Sequence, residues 1–360
     1  MTINRKVLLD SLKLAMPGID VGNAVLQGAD AFVFYKGNLF TYNDSIAVLV
    51  PIESTGLVSE DVEGAVHAKQ FYNVISKFTS DEITFEVTEK GSWALKCGKA
   101  KAEINLLDFD YKKRLEGVSP KEDSWTDVPK DFMEALLSCR MTGNKTPLSG
   151  MYVKDNIVLS TDGMQINLYN LSSNVPKFWI SDASLNELLK LKEPKLMQLD
   201  GVWVHFKTVE NVILSIKTLN DEKFPYDKII NLMNTAQPKD TDLHATFPKE
   251  VFAAVDRASD FSLESSDTQV VRLVLSNEGV EISAERNSGN YHESVVWDKP
   301  LNVESDPITI YVSPVMMSAV AVHSLDFYLM KLSGKGGTIL PRLMFVTEKS
   351  KHLMTTFSKK

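Results

Sequence analysis

The residue types that most often carry catalysis or bind metals are present, but their spacing predicts neither role. The six histidines stand singly, with no HExxH motif and no nearby cysteine pair to complete a zinc site. Cys97 and Cys139 are too far apart for a CxxC motif, which favours two ordinary reduced thiols. The glycine-rich run at 333–338 has phosphate-loop composition but lacks the spacing of that motif. We therefore expect no catalytic residue, no metal and no cofactor.

The composition predicts a globular protein with a large core. Of the 360 residues, 44% are apolar and 24% are charged, and no apolar run approaches the roughly 18 residues that a membrane span needs. The first residues lack the apolar region of a signal peptide, so we expect a cytoplasmic location. The net charge of -8 argues against a protein that coats nucleic acid with its whole surface. A local basic face is compatible with this net charge.

A short pattern recurs six times, with starts about 60 residues apart. Each copy has an apolar residue, a polar or proline-containing start, and then apolar residues at helical spacing, which predicts an amphipathic helix. Pro129, Pro248 and Pro314 suit the first turn of three of these helices. The copies begin at Ile3, Val66, Val128, Ile180, Phe247 and Val312.

Each predicted helix is followed by alternating apolar segments around a turn, which is typical of antiparallel hairpins with one buried face. The turns are expected at Lys36-Gly37-Asn38, Glu89-Lys90-Gly91, Asp155-Asn156, Glu210-Asn211, Asn277-Glu278-Gly279 and Glu348-Lys349-Ser350. Polar, proline-containing links at 119–127 and 236–242 divide the six units into three pairs, predicting domains 1–120, 121–240 and 241–360. Unrelated α+β domains are the alternative, but they would not keep this order and period.

This organisation resembles the bacterial DNA sliding clamp family, the β subunit of DNA polymerase III, along the whole chain. Leu148-Ser149-Gly150-Met151 running into Thr161-Asp162-Gly163 is similar to the second domain of that family, and Lys223-Phe224-Pro225-Tyr226 is similar to the segment that closes it. The resemblance implies an α+β fold of three similar sliding-clamp domains, each with two helices and antiparallel sheets. It also implies that two chains close head to tail into a ring.

The resemblance further implies a function in DNA replication without catalysis. Family members act as processivity factors, encircling duplex DNA and tethering a replicative DNA polymerase. The implied partners are double-stranded DNA, a DNA polymerase and a clamp loader, the last two bound through short linear motifs, with a homodimer and no membrane. The alternative is a clamp-like homologue that serves as a protein-interaction scaffold without a processivity function. The third alternative, an enzyme, has the least support from the sequence.

A sliding ring needs weak, sequence-blind contacts to phosphates, so its helices should carry basic residues. The segments 3–18 and 67–78 each hold two more basic than acidic residues, whereas the segments 247–261 and 313–325 hold no basic excess. We therefore expect DNA contact mainly in the first half of the chain. Ordinary solvated lysines are the other reading of these positions. The candidate DNA-binding residues are Arg5, Lys6, Lys13, Lys69, Lys77, Lys130, Arg140 and Lys145.

The family resemblance also implies an apolar groove that receives linear motifs from partners. The matching positions are Leu148, Thr161, Gly163, Met164, Gln165, Ile166, Pro225, Ile229, Ile230, Leu353, Thr355, Thr356 and Phe357. Met164-Gln165 stands where the family has His-Arg, and Ile229 stands at an arginine position. We therefore expect a preference for a partner motif different from the usual bacterial one. Some of these apolar residues could instead belong to the core.

Ring closure is expected by strand addition between the end of the first domain and the third domain of the other chain. The matching positions are Ala102 and Ile104 on one side and Phe261 on the other. Ala102 stands where a larger residue is expected, which predicts a weaker or repacked interface.

Overall fold

The structure is a computed structural model, and it describes residues 1–20, 22, 26–57, 62–141, 146–265, 268–299, 307–320, 324–333 and 339–357. Six of its helices lie where the repeated pattern predicts them: α1 Arg5–Ala15, α2 Ala68–Lys77, α4 Phe132–Cys139, α5 Asp182–Leu188, α7 Lys249–Ser259 and α8 Pro314–Val320. The sequence did not predict α3 Tyr111–Glu116 and α6 Tyr226–Thr235.

The described strands account for most of the remaining chain. In chain order they are β1 Thr2–Asn4, β2 Ala31–Tyr35, β3 Asn38–Tyr42, β4 Ile46–Pro51, β5 Gly64–His67, β6 Glu82–Val87, β7 Trp93–Cys97, β8 Ala100–Ile104, β9 Thr126–Asp127, β10 Met151–Thr161, β11 Gln165–Ile180, β12 Pro194–Asp200, β13 Trp203–Thr208, β14 Ile213–Lys217, β15 Leu243–Thr246, β16 Leu263–Ser265, β17 Thr268–Leu275, β18 Gly279–Arg286, β19 Gly289–Val296, β20 Ile308–Val312, β21 Asp326–Ser333, β22 Ile339–Val346 and β23 Ser350–Thr355.

The helix starts follow local capping chemistry. Asn4 accepts a hydrogen bond from the Val7 backbone N–H (3.1 Å) at the start of α1, and Ser181 does the same for Ser184 (3.2 Å) at α5. Pro314 is the first residue of α8, whereas Pro248 immediately precedes α7. Pro129 lies outside the first turn of α4, since that helix begins only at Phe132. The first-turn prediction is therefore correct for Pro314 alone.

The chain forms two compact units. The first comprises Met1–Val128 and Ile180–Leu219, and the second comprises Pro129–Trp179 and Asn220–Lys360. The first unit contains a four-stranded sheet, β1-β6-β7-β8, and an eight-stranded sheet, β5-β2-β3-β4-β14-β13-β12-β9. The second contains a six-stranded sheet, β10-β11-β23-β22-β21-β15, and a five-stranded sheet in which β20 also pairs with β17.

The predicted domain limits fall in irregular chain, between α3 and β9 and between α6 and β15. The two compact units nevertheless divide residues 121–240 between them, because β14 pairs with β4 and β11 pairs with β23. Sheets that continue from one predicted domain into the next make contacts across the limits. The division into three domains stays a prediction.

Five of the six predicted turns lie between paired strands, and one prediction is wrong. No turn forms at Asp155-Asn156, because β10 runs without interruption from Met151 to Thr161. Asp155 adopts a left-handed conformation (φ 55°) within this strand, and an aspartate tolerates that conformation better than most residues. The hairpin instead turns at Asp162–Met164, where Gly163 has φ 89°.

Apolar side chains from helices and sheets fill the cores. In the second unit, Phe247 stacks on Phe327 with ring centroids 4.0 Å apart, and both pack with the buried face of α7. In the first unit, Phe34, Phe71 and Trp93 form edge-to-face contacts between sheet and helix. Within the described residues, no helix is long and apolar enough to cross a membrane.

Candidate functional site

The six-stranded sheet of the second unit presents an apolar face away from the core around Phe247. Along β22, Leu343 and Phe345 belong to that core, so the intervening Met344 points to the opposite side. Met344 lies opposite Tyr328 on β21 and Leu353 on β23, and Leu353 lies opposite Ile166 on β11. We call these four side chains, in register across four strands, the apolar sheet face.

Helix α6 packs against the apolar sheet face through Ile229 and Met233, which are buried in the same cluster. Aromatic contacts fix the segment before the helix. The Phe224 ring stacks on Tyr152 (4.4 Å between ring centroids) and meets Trp179 edge to face (5.2 Å). This anchoring holds α6 beside the sheet and leaves Ile230 partly exposed.

The C-terminal end of α6 lies over one end of the face. There the Lys351 ammonium donates a hydrogen bond to the Gln237 side-chain carbonyl (2.9 Å). Lys351 lies opposite Leu168 and Val346, which form the row of the sheet next to the apolar sheet face. The opposite end of the sheet reaches Met164, whose side chain is 37% exposed.

The structure brings most of the predicted groove residues to this region. Ile166, Ile229 and Leu353 are buried in the cluster, and Leu148 and Ile230 are partly buried against it. Pro225 immediately precedes α6, and the Thr355 backbone N–H donates to the Met164 carbonyl (3.0 Å).

Other predicted groove residues stabilise the turn at Asp162–Met164 or make contacts outside the apolar sheet face. The Thr161 hydroxyl donates to the Gln165 carbonyl (2.7 Å), and the Gln165 side-chain amide donates to the Asp162 carboxylate (2.9 Å). Gly163 lies in open space at the tip of this turn, where its positive φ favours glycine. The Thr356 hydroxyl donates to the Pro341 carbonyl.

The last described residue, Phe357, does not join the apolar sheet face. It packs against the cluster around Phe247, and its backbone N–H donates to the Tyr311 carbonyl (2.9 Å). Its place depends on pairing with a distant strand, which local sequence does not reveal.

Three residues at this surface were missed by sequence reasoning. Tyr226 is partly buried against the cluster, with the Lys154 ammonium 4.5 Å from its ring centroid, and burial raises its pKa. Tyr328 is partly buried in the apolar sheet face and stacks on His244 at 4.3 Å. Arg342 lies one row away from Met344. The apolar spacing of Tyr226, Ile229 and Met233 was a helical signal that could have identified α6.

The first unit carries the basic helix faces. On α2, Lys69, Asn73 and Lys77 are exposed on the side opposite the buried Phe71 and Ile75. An open cavity of about 390 Å³ lies at the start of this helix, lined by Asp30, His67, Lys69, Gln70 and Asn73. The His67 ring nitrogen Nδ1 lies 2.9 Å from the Asp30 carboxylate.

Helix α1 packs against α2 and adds further positive charge. Lys6 and Lys13 are exposed, and Lys13 lies 3.5 Å from the Asp10 carboxylate. Arg5 is partly buried, and its Nε has no hydrogen-bond partner among the described residues. The two helices therefore offer several exposed cations.

The other candidate cations differ in their surroundings. Lys130 and Arg140 are exposed just outside the two ends of α4, while Lys145 lies outside the described residues. On α7, the Arg257 guanidinium makes a bidentate contact with Glu293 (2.8 Å to each oxygen). The bonds to Glu293 and then Tyr291 raise the pKa of Arg257, and the bond from Arg257 lowers the pKa of Glu293. Glu293 therefore neutralises this cation.

The predicted ring-closure residues lie at two sheet edges. Strand β8 is terminal in its sheet, with Ile104 buried and Ala102 partly exposed. Phe261 stacks on Tyr291 of β19 at 6.0 Å, and β19 is terminal in the five-stranded sheet. Terminal strands present unpaired backbone groups on their outer side.

The glycine-rich run at 333–338 lies outside the described residues from Gly334 onward. Among the residues that the structure does describe, no cluster of three histidine, cysteine or acidic side chains could hold a metal ion. Both cysteines are buried, and burial raises the pKa of Cys139 well above its usual range.

Comparison with known proteins identifies the fold. No protein-family model matches the chain. The Beta sliding clamp of Bacillus subtilis (strain 168) is 24% identical over 344 residues, covering 88% of each chain. The DNA polymerase III beta chain of Streptococcus pneumoniae TIGR4 superposes with a TM-score of 0.79 at 19% identity, covering 99% of both chains. The H. pylori beta clamp in complex with diflunisal superposes with a TM-score of 0.76 at 19% identity, covering 100% of both.

The chain therefore has the sliding-clamp fold along its whole length, and its resemblance to the bacterial sliding clamps is confirmed. The low identity makes it a divergent relative.

Proposed function

We propose that this protein is a DNA sliding clamp, a non-catalytic processivity factor that encircles duplex DNA and tethers a DNA polymerase. The observation that carries the proposal is the set of exposed cations on α1 and α2, on a fold whose relatives are named sliding clamps. Cations on mobile side chains attract phosphates without fixing a register, which suits a protein that slides.

The ring would form by head-to-tail addition of β8 of one copy to β19 of the other. Each strand is terminal in its own sheet, so an added strand satisfies backbone groups that otherwise face water. Ile104 on β8 and Phe261 beside β19 would supply apolar contacts, and the small Ala102 would supply less. Two copies are then required for the activity.

The proposed assembly is tested by measuring the molar mass of the purified protein in solution and imaging it in negative stain. We expect the mass of two chains and closed rings with a central hole. A single-chain mass with solid particles, at concentrations well above those of the cell, would contradict the proposal. An Ala102→Asp variant should shift the mass toward one chain, because Ala102 is partly exposed on the terminal strand β8 and the change places a charge in the interface.

The partly exposed residues at the edge of this cluster, Leu148, Ile230 and Tyr328, together with the exposed side of α6, would receive short linear motifs of the polymerase and the clamp loader. An apolar surface flanked by partly exposed side chains can desolvate an aromatic or leucine anchor. Met164 lies at the open end of this surface, so Met164→Glu should weaken binding of an anchor-containing peptide by about tenfold.

Val209→Glu is the matched control for that change, because Val209 is an exposed apolar residue in the other unit. The control should bind the peptide as the unmodified protein does. Equal binding by both variants would place the peptide elsewhere on the molecule.

A further inference from the structure

The aromatic side chain proposed for ring closure rests on a second aromatic ring. Phe261 lies two residues beyond α7, and its backbone N–H donates to the Ala258 carbonyl (3.0 Å). Its ring stacks on Tyr291 of β19, with the ring centroids 6.0 Å apart and the planes 22° apart. Both side chains pack against the core around Phe247 and keep part of their surface exposed. Phe261 is therefore neither buried core nor a free surface side chain.

The start of β19 leaves room for the Phe261 ring. Gly289 and Tyr291 are two residues apart on this strand, so their side-chain positions share one face of the sheet. A Cβ atom at Gly289 would lie 3.4 Å from the Phe261 ring, which is closer than side chains usually pack. The ring therefore lies over the glycine and against the neighbouring tyrosine. Because β19 is terminal in its sheet, this arrangement stands beside an unpaired strand.

Hydrogen bonds hold the other end of Tyr291. Its hydroxyl accepts a bond from Arg257 Nε (2.9 Å) and donates to the Glu293 carboxylate. The Arg257 guanidinium in turn binds both Glu293 oxygens. Burial and then the bond to Glu293 raise the pKa of Tyr291, so its hydroxyl stays protonated and keeps donating. Turning the Tyr291 ring away from Phe261 would break these hydrogen bonds.

An aromatic side chain that is already ordered binds a partner more tightly than a mobile one. A partly exposed side chain that is free in the single chain loses rotamer freedom when an interface buries it, and this loss weakens association. The stack on Tyr291 orders Phe261 before a second copy arrives. Ala102 on β8 would supply little apolar bulk, so an ordered Phe261 would matter more to this interface.

We propose that Tyr291 is a positioning residue for ring closure: fixed by Arg257 and Glu293, it holds Phe261 in the orientation that meets β8 of the second copy. This inference rests on the proposed function, because it requires that β19 and β8 join. Since Tyr291 acts through Phe261, its contribution to association should vanish when the Phe261 ring is removed.

The test is a double-mutant cycle on the dissociation constant of the two-chain assembly. Fluorescently labelled full-length protein is diluted in steps, and the constant is obtained from sedimentation with fluorescence detection. We expect Phe261→Ala to weaken association at least tenfold and Tyr291→Ala to weaken it about tenfold. In the Phe261→Ala background, Tyr291→Ala should add less than about twofold. Circular dichroism checks that each variant is folded.

Two further variants separate the ring from the hydroxyl and from tyrosine loss in general. Tyr291→Phe keeps the stacked ring and loses the hydroxyl, so it should weaken association only about threefold. Tyr35→Ala is the matched control, because Tyr35 is also partly exposed and meets another aromatic ring, that of Tyr111 (6.0 Å). It lies on β2, which is not terminal in its sheet, and its loss should leave the dissociation constant unchanged.

The alternatives give different results. If Tyr291→Ala weakened association equally with and without the Phe261 ring, the positioning role would be overturned, since Tyr291 would then act independently of Phe261. No effect of Tyr291→Ala, with a clear effect of Phe261→Ala, would also overturn it and leave ring closure at β19 standing. A single-chain mass for the unmodified protein would overturn the proposed assembly and this inference with it.

Discussion

Helices α1 and α2 share their sequence pattern with α7, but the cations on these helices are held differently. Lys6, Lys69 and Lys77 extend into solvent, and no described residue forms an ion pair with them. On α7, Arg257 is bound by Glu293 of β19, and Asp256 and Asp260 add exposed negative charge. The buried positions of the repeat are preserved while its exposed charges change.

This difference shows that the buried residues that pack each repeated helix and the exposed residues that set its charge are independent of each other. Buried apolar residues at helical spacing, such as Phe71 and Ile75 on α2 or Val251 and Val255 on α7, hold each helix on its sheet. Exposed residues do not contribute to that packing and can vary freely. DNA contact concentrated on α1 and α2 is therefore compatible with a sixfold repeat.

The largest effect is expected from removing the free cations. Changing Lys6, Lys69 and Lys77 together to alanine should lower affinity for duplex DNA by roughly ten- to a hundredfold at low salt. The slope of log affinity against log salt should become shallower by about two to three, because each lysine that neutralises a phosphate adds about one to that slope. Alanine favours helix, so folding should be retained.

A triple change of Lys90, Lys239 and Lys299 to alanine is the matched control, since it removes the same charge from exposed loops. Fluorescence anisotropy with a labelled duplex measures both variants. An equal loss of affinity in the two variants would show that net charge matters and the helix faces do not.

A second prediction sharpens the contrast between free and paired charges. Asp131, just before α4, is 6% exposed and accepts hydrogen bonds from Ser172 and from the Lys349 ammonium (2.9 Å). Asp131→Asn should lower the free energy of unfolding by about 1 kcal/mol, because an amide replaces the buried carboxylate that accepts hydrogen bonds from Ser172 and Lys349. Denaturant unfolding measures the change. No loss of stability would show that the pair is dispensable.

The pH dependence of this effect has a defined direction. Burial opposes ionisation of Asp131, but the bonds from Ser172 and Lys349 outweigh it and lower the pKa. The stabilisation is therefore fully present above the ordinary pKa near 3.8 and is lost as the pH falls through the lowered value. The stabilities of Asp131→Asn and the unmodified protein should converge in strong acid.

The smallest effect is expected at Arg257. Arg257→Ala should leave DNA affinity within about twofold of the unmodified protein, because Glu293 already neutralises this charge. The matched comparison is Lys69→Ala, which should weaken binding measurably in the same anisotropy assay. A larger loss at Arg257 than at Lys69 would reverse the assignment of DNA contact.

The apolar periodicity of the sequence correctly predicted the helices and turns whose positions depend on neighbouring residues. The six repeated helices and five of the hairpin turns follow from apolar spacing and turn residues. The continuous β10 was missed because an Asp-Asn pair signals a turn, whereas Asp155 adopts a left-handed conformation inside a strand.

The candidate docking surface was predicted only in part, because it depends on strand register. Ile166 and Leu353 are far apart in sequence and meet through the pairing of β11 with β23. That Arg342 lies opposite Met330 and Thr355 likewise depends on strand register. No local pattern carries that information, and the same holds for Phe357, which pairs with Tyr311.

The central claim is that the protein holds DNA by topology, and retention on DNA with blocked ends tests it most directly. The protein is threaded onto a linear duplex that has one end blocked by bound streptavidin, the other end is then blocked, and the DNA is washed at high salt. We predict that the protein stays on the doubly blocked DNA and is released when a restriction enzyme cuts between the ends. Loss in the wash, or retention after cutting, would contradict the clamp mechanism.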